Sequence, residues 1–290
     1  MHPLIQQLLA QGPVLTDGAW GTELQERGLS LGEFPDAWNL THPERVAEVA
    51  RAYVEAGSQI ILTNTFGANR IRLGDLAPAG NVCEINRRGV EISRAAAGGR
   101  ARVFASIGPT GKLLMSGDVT RDALRDAFAE QARALAEGGA DALVIETMSD
   151  LDEASLAVEA ARATGLPVVA CMVFDSGKDK DRTMMGTTPE QAAKTLTQAG
   201  AEVIGANCGQ GIAGFVALAR RLRAASDRPL WLKPNAGLPT MVDGRAQYSA
   251  APEEFAGYVP QLVESGAAFL GGCCGTRPDF VKAIRRQLNR

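Results

Sequence analysis

The chain has 290 residues, 46% of them hydrophobic, which is enough to bury a sizeable core in one large domain or two ordinary ones. A net charge of −3 and a pI near 5.6 give no reason to expect nucleic acid or an anionic membrane as a partner. No apolar run approaches the roughly 20 residues of a spanning helix, and the start Met1-His2-Pro3-Leu4 lacks a basic region followed by an apolar block, so the cytoplasm is the expected compartment.

Taken in order, Pro13-Val14-Leu15-Thr16 reads as a short buried strand ending at Asp17-Gly18-Ala19. Thr41-His42-Pro43-Glu44 has capping-box spacing, and Val46, Val49, Ala50, Tyr53 and Val54 then repeat at helical spacing until Gly57. Gln59 to Thr63 is β-branched and apolar, a strand ending at Asn64-Thr65-Phe66-Gly67. A helix around Val82 to Ala97 leads to the strand Arg102 to Ile107, which stops at Gly108. A helix from about Arg121 to Gly138 leads to Ala142-Leu143-Val144-Ile145, ending at Glu146-Thr147.

Asp150 to Thr164 is helical, Pro167 to Val173 is the next strand, and the charged loop Asp175 to Arg182 follows. Thr188-Pro189-Glu190-Gln191 caps another helix, after which Glu202 to Ala206 runs to Asn207-Cys208-Gly209. Ile212 to Ala225 is helical, and Pro229 to Lys233 ends at Pro234-Asn235-Ala236, with Asp243-Gly244 as a hairpin tip beyond it. Pro252 to Ser265 is helical, and Ala267 to Leu270 is the last strand. It runs into Gly271-Gly272-Cys273-Cys274-Gly275 and a capped closing helix from Pro278 to Gln287. Eight strand-then-helix units with no linker between them predict one (β/α)8 barrel over residues 1–290, with a doubly wound open sheet as the alternative.

In such a barrel the chemistry lies at the C-terminal strand ends, where Asp17, Asn64, Gly108, Glu146, Asp175, Cys208, Asn235 and the pair Cys273-Cys274 fall. The two histidines, His2 at the frayed terminus and His42 at a helix start, offer no useful base, so thiols, carboxylates, amides or a metal carry any chemistry. Five cysteines, an odd number, suit free thiols or ligands better than a disulfide framework. Closure brings Cys208 near Cys273 and Cys274, whereas Cys83 on a helix and Cys171 in an apolar strand read as packing residues. Three thiolates round one point suit zinc with a fourth position open to substrate, and a thiol bound there is held as thiolate. On spacing alone, buried packing is the commoner reading of adjacent cysteines, and a redox pair is another. Asp17, Glu146 and Asn235 have structural readings too, as caps or turn residues. Lys233 is the candidate Schiff-base amine of an aldolase-type alternative.

The motifs Asp17-Gly18-Ala19-Trp20-Gly21-Thr22, Thr63-Asn64-Thr65-Phe66, Gly108-Pro109-Thr110-Gly111, Ile145-Glu146-Thr147, Gly205-Ala206-Asn207-Cys208, Pro234-Asn235-Ala236-Gly237 and Gly271 to Gly275 together resemble the zinc-dependent homocysteine S-methyltransferases over nearly the whole chain. The body of the chain is similar to the homocysteine module of cobalamin-dependent methionine synthase and to stand-alone bacterial betaine–homocysteine methyltransferases. The resemblance implies zinc on Cys208, Cys273 and Cys274, Asp17 and Glu146 holding the amino group of homocysteine, and amides near Gly18 holding its carboxylate. It implies an Asn235 that approaches zinc when no thiol is bound. The donor implied is a small onium compound such as glycine betaine, for which Trp20, Trp38 and Phe66 offer part of an aromatic cage. Gly67 and Thr147 stand where animal-type betaine enzymes carry tyrosines. No cobalamin-binding segment is recognised in these residues, so a corrinoid donor would arrive on a separate protein. The flanking glycines are expected to clear space for the incoming sulfur.

Overall fold

Alternate residues of each strand face opposite ways, and both faces are apolar, so the strands bury one side against each other and the other against helices. The computed structural model describes residues 1–30, 32–74, 81–242 and 245–289. Its strands are β1 (Val14–Leu15), β2 (Ile60–Ile61), β3 (Arg102–Ile107), β4 (Ala142–Met148), β5 (Val168–Met172), β6 (Val203–Cys208), β7 (Leu230–Pro234), β8 (Pro239–Val242), β9 (Arg245–Tyr248) and β10 (Ala267–Leu270). Eight form one parallel sheet in the order β1-β10-β7-β6-β5-β4-β3-β2. The seam between β1 and β2 is closed by Gln59, whose N–H donates to Leu15 O at 2.8 Å while its Oε1 accepts from Leu15 N at 2.9 Å. This is a single (β/α)8 barrel.

Inside the barrel, Ile60, Leu62, Phe104, Val144, Cys171, Trp231 and Phe269 make one buried cluster. Trp231 lies between Phe104 and Phe269, with centroids 5.9 and 5.4 Å away. The residues between these on the strands, such as Ile61, Val103, Leu143, Ile145 and Leu232, pack outward on the helices. The apolar plug ends one layer below the C-terminal mouth, where the inward positions turn polar.

Local rules held where backbone geometry allowed them. Thr188 and Gln191 form a capping box on the helix Pro189–Ala199, and Gly57 ends the helix Pro43–Ala56 at φ 105°. The expected box at Thr41 and Glu44 is absent. Thr41 belongs to a short helix, Trp38–Thr41, and its Oγ1 donates to Ala37 O, leaving His42 at the cap position with no side-chain cap bond. The cap expected for the closing helix is absent too: Arg277 holds the cap position of Pro278–Leu288 with no side-chain cap bond, and Thr276, just before it, turns its Oγ1 to donate to Cys273 O at 2.6 Å. The helix expected from Pro252 to Ser265 divides into Pro252–Ala256 and Val259–Glu264, since Pro260 has no N–H for the carbonyl four residues back.

His2 is not frayed: its Nδ1 accepts from Leu4 N, starting a helix Pro3–Leu9 whose Ile5 is buried in the barrel cluster. Cys83 is exposed rather than packed. The tip Asp243-Gly244 lies outside the described residues, and β8 and β9 pair antiparallel on either side of it. No helix of the described residues is long and apolar enough to cross a membrane.

Candidate active site

The C-terminal ends of β6 and β10 bring three sulfurs together. Cys208 Sγ lies 3.3 Å from Cys273 Sγ and 3.7 Å from Cys274 Sγ. All three ligand atoms are within 4.8 Å of one another, and the group is the one metal-sized His/Cys/Asp/Glu cluster found among the described residues. The backbone is bent to achieve this. Cys208 has φ 63° and Thr147 φ 61°, left-handed values that cost a side chain with a Cβ. Asn207 holds both strand ends: its Oδ1 accepts from Thr147 N at 2.7 Å, its Nδ2 donates to Thr147 Oγ1 at 2.6 Å, and Nδ2 lies 3.7 Å from Cys273 Sγ.

Sulfurs in contact cannot all ionise together. Hydrogen bonds from Cys208 and Cys273 hold the Cys274 thiol down to about 3, and the same contacts push Cys208 far up. For Cys273 the bond from Cys208 pulls down, but the bond to Cys274 and burial outweigh it, leaving it pushed up to about 12. Each sulfur's contacts with the other two thus oppose a second negative charge on the cluster.

Tyr248, on the returning strand of the β8–β9 hairpin, hydrogen-bonds Cys274 through its phenol. Its ring passes over Gly275, where a Cβ would sit 2.2 Å from Tyr248 Cγ. The glycines round the cysteines thus make room for protein, not for an incoming thiol. A Cβ on Gly271 would meet Thr16 Oγ1 at 2.0 Å, and one on Gly272 would meet the Thr276 side chain at 2.2 Å. Tyr248 did not stand out in the sequence, and Asn207 did so only as part of the Gly205-Ala206-Asn207-Cys208 motif with no role of its own, because each acts through a fold-dependent contact.

Beside the sulfurs, the top layer of the barrel interior is charged. Lys233, 2% exposed, pairs with Asp17 Oδ1, and Asp17 is wholly buried. The other oxygen, Oδ2, accepts from Leu62 N and from Trp20 Nε1, both at 2.7 Å. Burial opposes the Lys233 charge, but Asp17 and Glu146 outweigh it and hold the ammonium above its ordinary value. The buried ion pair with Asp17 opposes the loss of a proton that an aldolase-type nucleophile at Lys233 would need. Glu146 accepts from Ser106 Oγ. Burial pushes its carboxyl up to about 7, against the pull of Lys233.

These groups meet at a cavity of about 480 Å³. The three cysteines, Gly18, Glu146, Lys233, Ser106 and Asn64 line it, and so do the rings of Trp20, Phe34 and Phe66 and the carboxylates of Glu33 and Asp36. Asp17, Asn235, Asp175 and Trp38 are not in the lining. Asn235 donates to Gly209 O at 2.8 Å, and its Oδ1 is buried without a partner among the described residues. Trp38 is core and donates to Glu33 Oε1. Gly67 lies so close to Asp36 Oδ2 and Arg72 Nε that a Cβ would approach them to 2.8 and 3.1 Å, which leaves no space for a tyrosine.

A parallel barrel with three sulfurs, a buried ammonium and carboxylates round one cavity at its C-terminal mouth defines a barrel protein built to handle a thiol. The chain belongs to the homocysteine S-methyltransferase family, whose model matches residues 14–288. It is 32% identical to the methionine synthases of Mycobacterium leprae and Mycobacterium tuberculosis, over 98% and 96% of this chain. It spans about a quarter of the length of either, 25% in each case. In fold it is similar to the metallated homocysteine methyltransferase MmuM from Escherichia coli, with a TM-score of 0.82, 24% identity, and coverage of 97% of this chain and 99% of that one.

Proposed function

We propose that this chain, as one barrel domain over residues 1–290, transfers a methyl group from a small onium donor such as glycine betaine to the thiol of L-homocysteine, giving methionine. The observation that carries the proposal is the convergence of Cys208, Cys273 and Cys274 on the wall of a cavity large enough for both reactants. Sulfurs bound to one zinc at about 2.3 Å in tetrahedral geometry stand about 3.8 Å apart. The 3.7 Å pair meets that value and the 3.3 Å pair needs a shift of about half an ångström, so the residues fit zinc. Zinc held there would keep a bound thiol ionised at neutral pH.

The chain's own residues do the rest. Glu146 faces the cavity to take the substrate ammonium, with Asp17 adding negative charge from behind the wall, and the backbone at Gly18 borders the place of the carboxylate. Trp20, Phe34 and Phe66 line the same cavity and would offer ring faces to the donor's cationic end; Glu33 and Asp36 add negative charge there, against Arg72, whose guanidinium lies 5.5 Å from the Phe66 ring centroid. A lone pair on the homocysteine sulfur forms the S–CH3 bond as the donor's N–CH3 bond breaks, and that electron pair remains on nitrogen as a neutral amine. Alignment of sulfur and methyl contributes up to roughly 7–11 kcal/mol to such a step, and no histidine base is required. Thiols this close need a reducing compartment, which favours the cytoplasm.

The likeness to methionine synthases supports a second reading, in which the chain activates homocysteine and takes methyl from a methylcorrinoid protein supplied in trans. Methionine formation from homocysteine is measured with glycine betaine, dimethylsulfoniopropionate or S-methylmethionine as sole donor, and with methylcobalamin. Turnover with a free onium donor supports the first reading. Turnover with methylcobalamin alone supports the second, and full turnover in metal-free protein would end both.

A further inference from the structure

We infer that Thr147 is a further substrate-contacting residue, whose hydroxyl donates a hydrogen bond to the sulfur of the bound thiolate; the inference rests on the reading of this cavity as a thiol site. Asn207 fixes the direction of that hydroxyl. A main-chain N–H only donates, so the Asn207 atom 2.7 Å from Thr147 N is the amide oxygen, and the atom 2.6 Å from Thr147 Oγ1 is the amide nitrogen. An amide N–H offers no lone pair in return. The Thr147 oxygen therefore accepts, and its own hydrogen is directed away from Asn207. No acceptor takes that hydrogen among the described residues.

The surroundings show what it is free to bind. Thr147 lines the cavity together with Cys208, Cys273 and Cys274. The Asn207 nitrogen that touches the hydroxyl lies 3.7 Å from Cys273 Sγ, so a thiol seated against that sulfur comes within reach of the hydroxyl. Backbone strain marks the same spot. Thr147 is β-branched and stands at φ 61°, where such residues are outliers, and both bonds from Asn207 hold it there. A thiolate is a charged acceptor, whereas the thioether left by methyl transfer is neutral and accepts weakly. The bond therefore holds the substrate's sulfur before transfer and relaxes as the S–CH3 bond forms, which favours release of the product. Asn207 is the positioning residue that aims it.

The test is calorimetric titration of the zinc-loaded protein with L-homocysteine and with L-methionine, which differ only in the group on sulfur. Thr147→Val keeps the branching of the side chain and removes the hydroxyl. It is expected to weaken homocysteine roughly tenfold and to leave methionine within about twofold of wild type. Thr147→Ala, also without the hydroxyl, should repeat that result, and Thr147→Ser, which restores one, should keep the wild-type preference. Asn207→Ala leaves the hydroxyl free to turn and should lower the preference by less than Thr147→Val does; an unchanged preference would remove Asn207 as the positioning residue. If the hydroxyl-free variants weaken both ligands equally, or neither, the bond to sulfur is overturned and the thiol reading survives. A wild type that binds homocysteine no more tightly than methionine overturns the thiol reading itself.

Discussion

Replacing Lys233 by methionine preserves side-chain length and removes one charge from a pair whose members are 2% and 0% exposed. Asp17 would stay buried with only Leu62 N and Trp20 Nε1 on its Oδ2, and its Oδ1 would lose its partner. Breaking a buried pair from one side costs about 3–5 kcal/mol. The two remaining donors place Lys233→Met near the lower end of that range. Asp17→Asn should cost less, because a buried lysine can shed its proton, whereas the amide still accepts from Leu62 N. Exchanging a whole buried pair for neutral groups is often close to neutral, so the double variant should lie within about 2 kcal/mol of wild type. The coupling between the two sites is then about 2–4 kcal/mol. Urea unfolding at pH 7, followed by circular dichroism, measures all four species, with slopes required to agree before midpoints are compared. A Lys233→Met midpoint equal to wild type, or single-variant losses that simply add in the double variant, would refute the argument that this pair is held against desolvation.

Three further outcomes are expected. Cys208→Ala should lose zinc and activity together, read by metal content after dialysis alongside methionine formation; retention of one equivalent of zinc would contradict it. Gly275→Ala forces Tyr248 off its place, and together with Tyr248→Phe it should weaken zinc binding roughly 10- to 100-fold in competition with a chromophoric chelator, as loss of a ligand's hydrogen-bond partner does. Wild-type affinity in both would remove the phenol from the account. Asp36 is buried and its carboxyl is pushed up to about 6, chiefly by burial. Between pH 4 and 6 the folded chain therefore holds a proton that the unfolded chain has lost, and stability falls as pH rises through that window, by about 3 kcal/mol. Asp36→Asn should abolish this contribution, so parallel pH–stability curves for the two proteins would count against it.

What the sequence determined alone was periodic or local. The run of strands from Val14 to Leu270 and the intervening helices were legible because apolar alternation and caps depend on neighbours in the chain. Their order implied a barrel because parallel strands need crossovers. The barrel in turn predicted that Cys208 would meet Cys273 and Cys274, across 65 and 66 residues of sequence.

Local readings failed where another contact, near or far in the chain, claimed the same group. Thr276 bonds Cys273 O ahead of a closing helix that starts without a side-chain cap, and the glycines at 271, 272 and 275 yield to Thr16, Thr276 and Tyr248. Only the tertiary structure decided which charges face the cavity. Asp17 and Lys233 stand 216 residues apart and read separately as a substrate ligand and an amine nucleophile, but burial together makes each the other's counter-ion. A buried charge must find its partner within the fold, and no spacing in the chain states which one it will be.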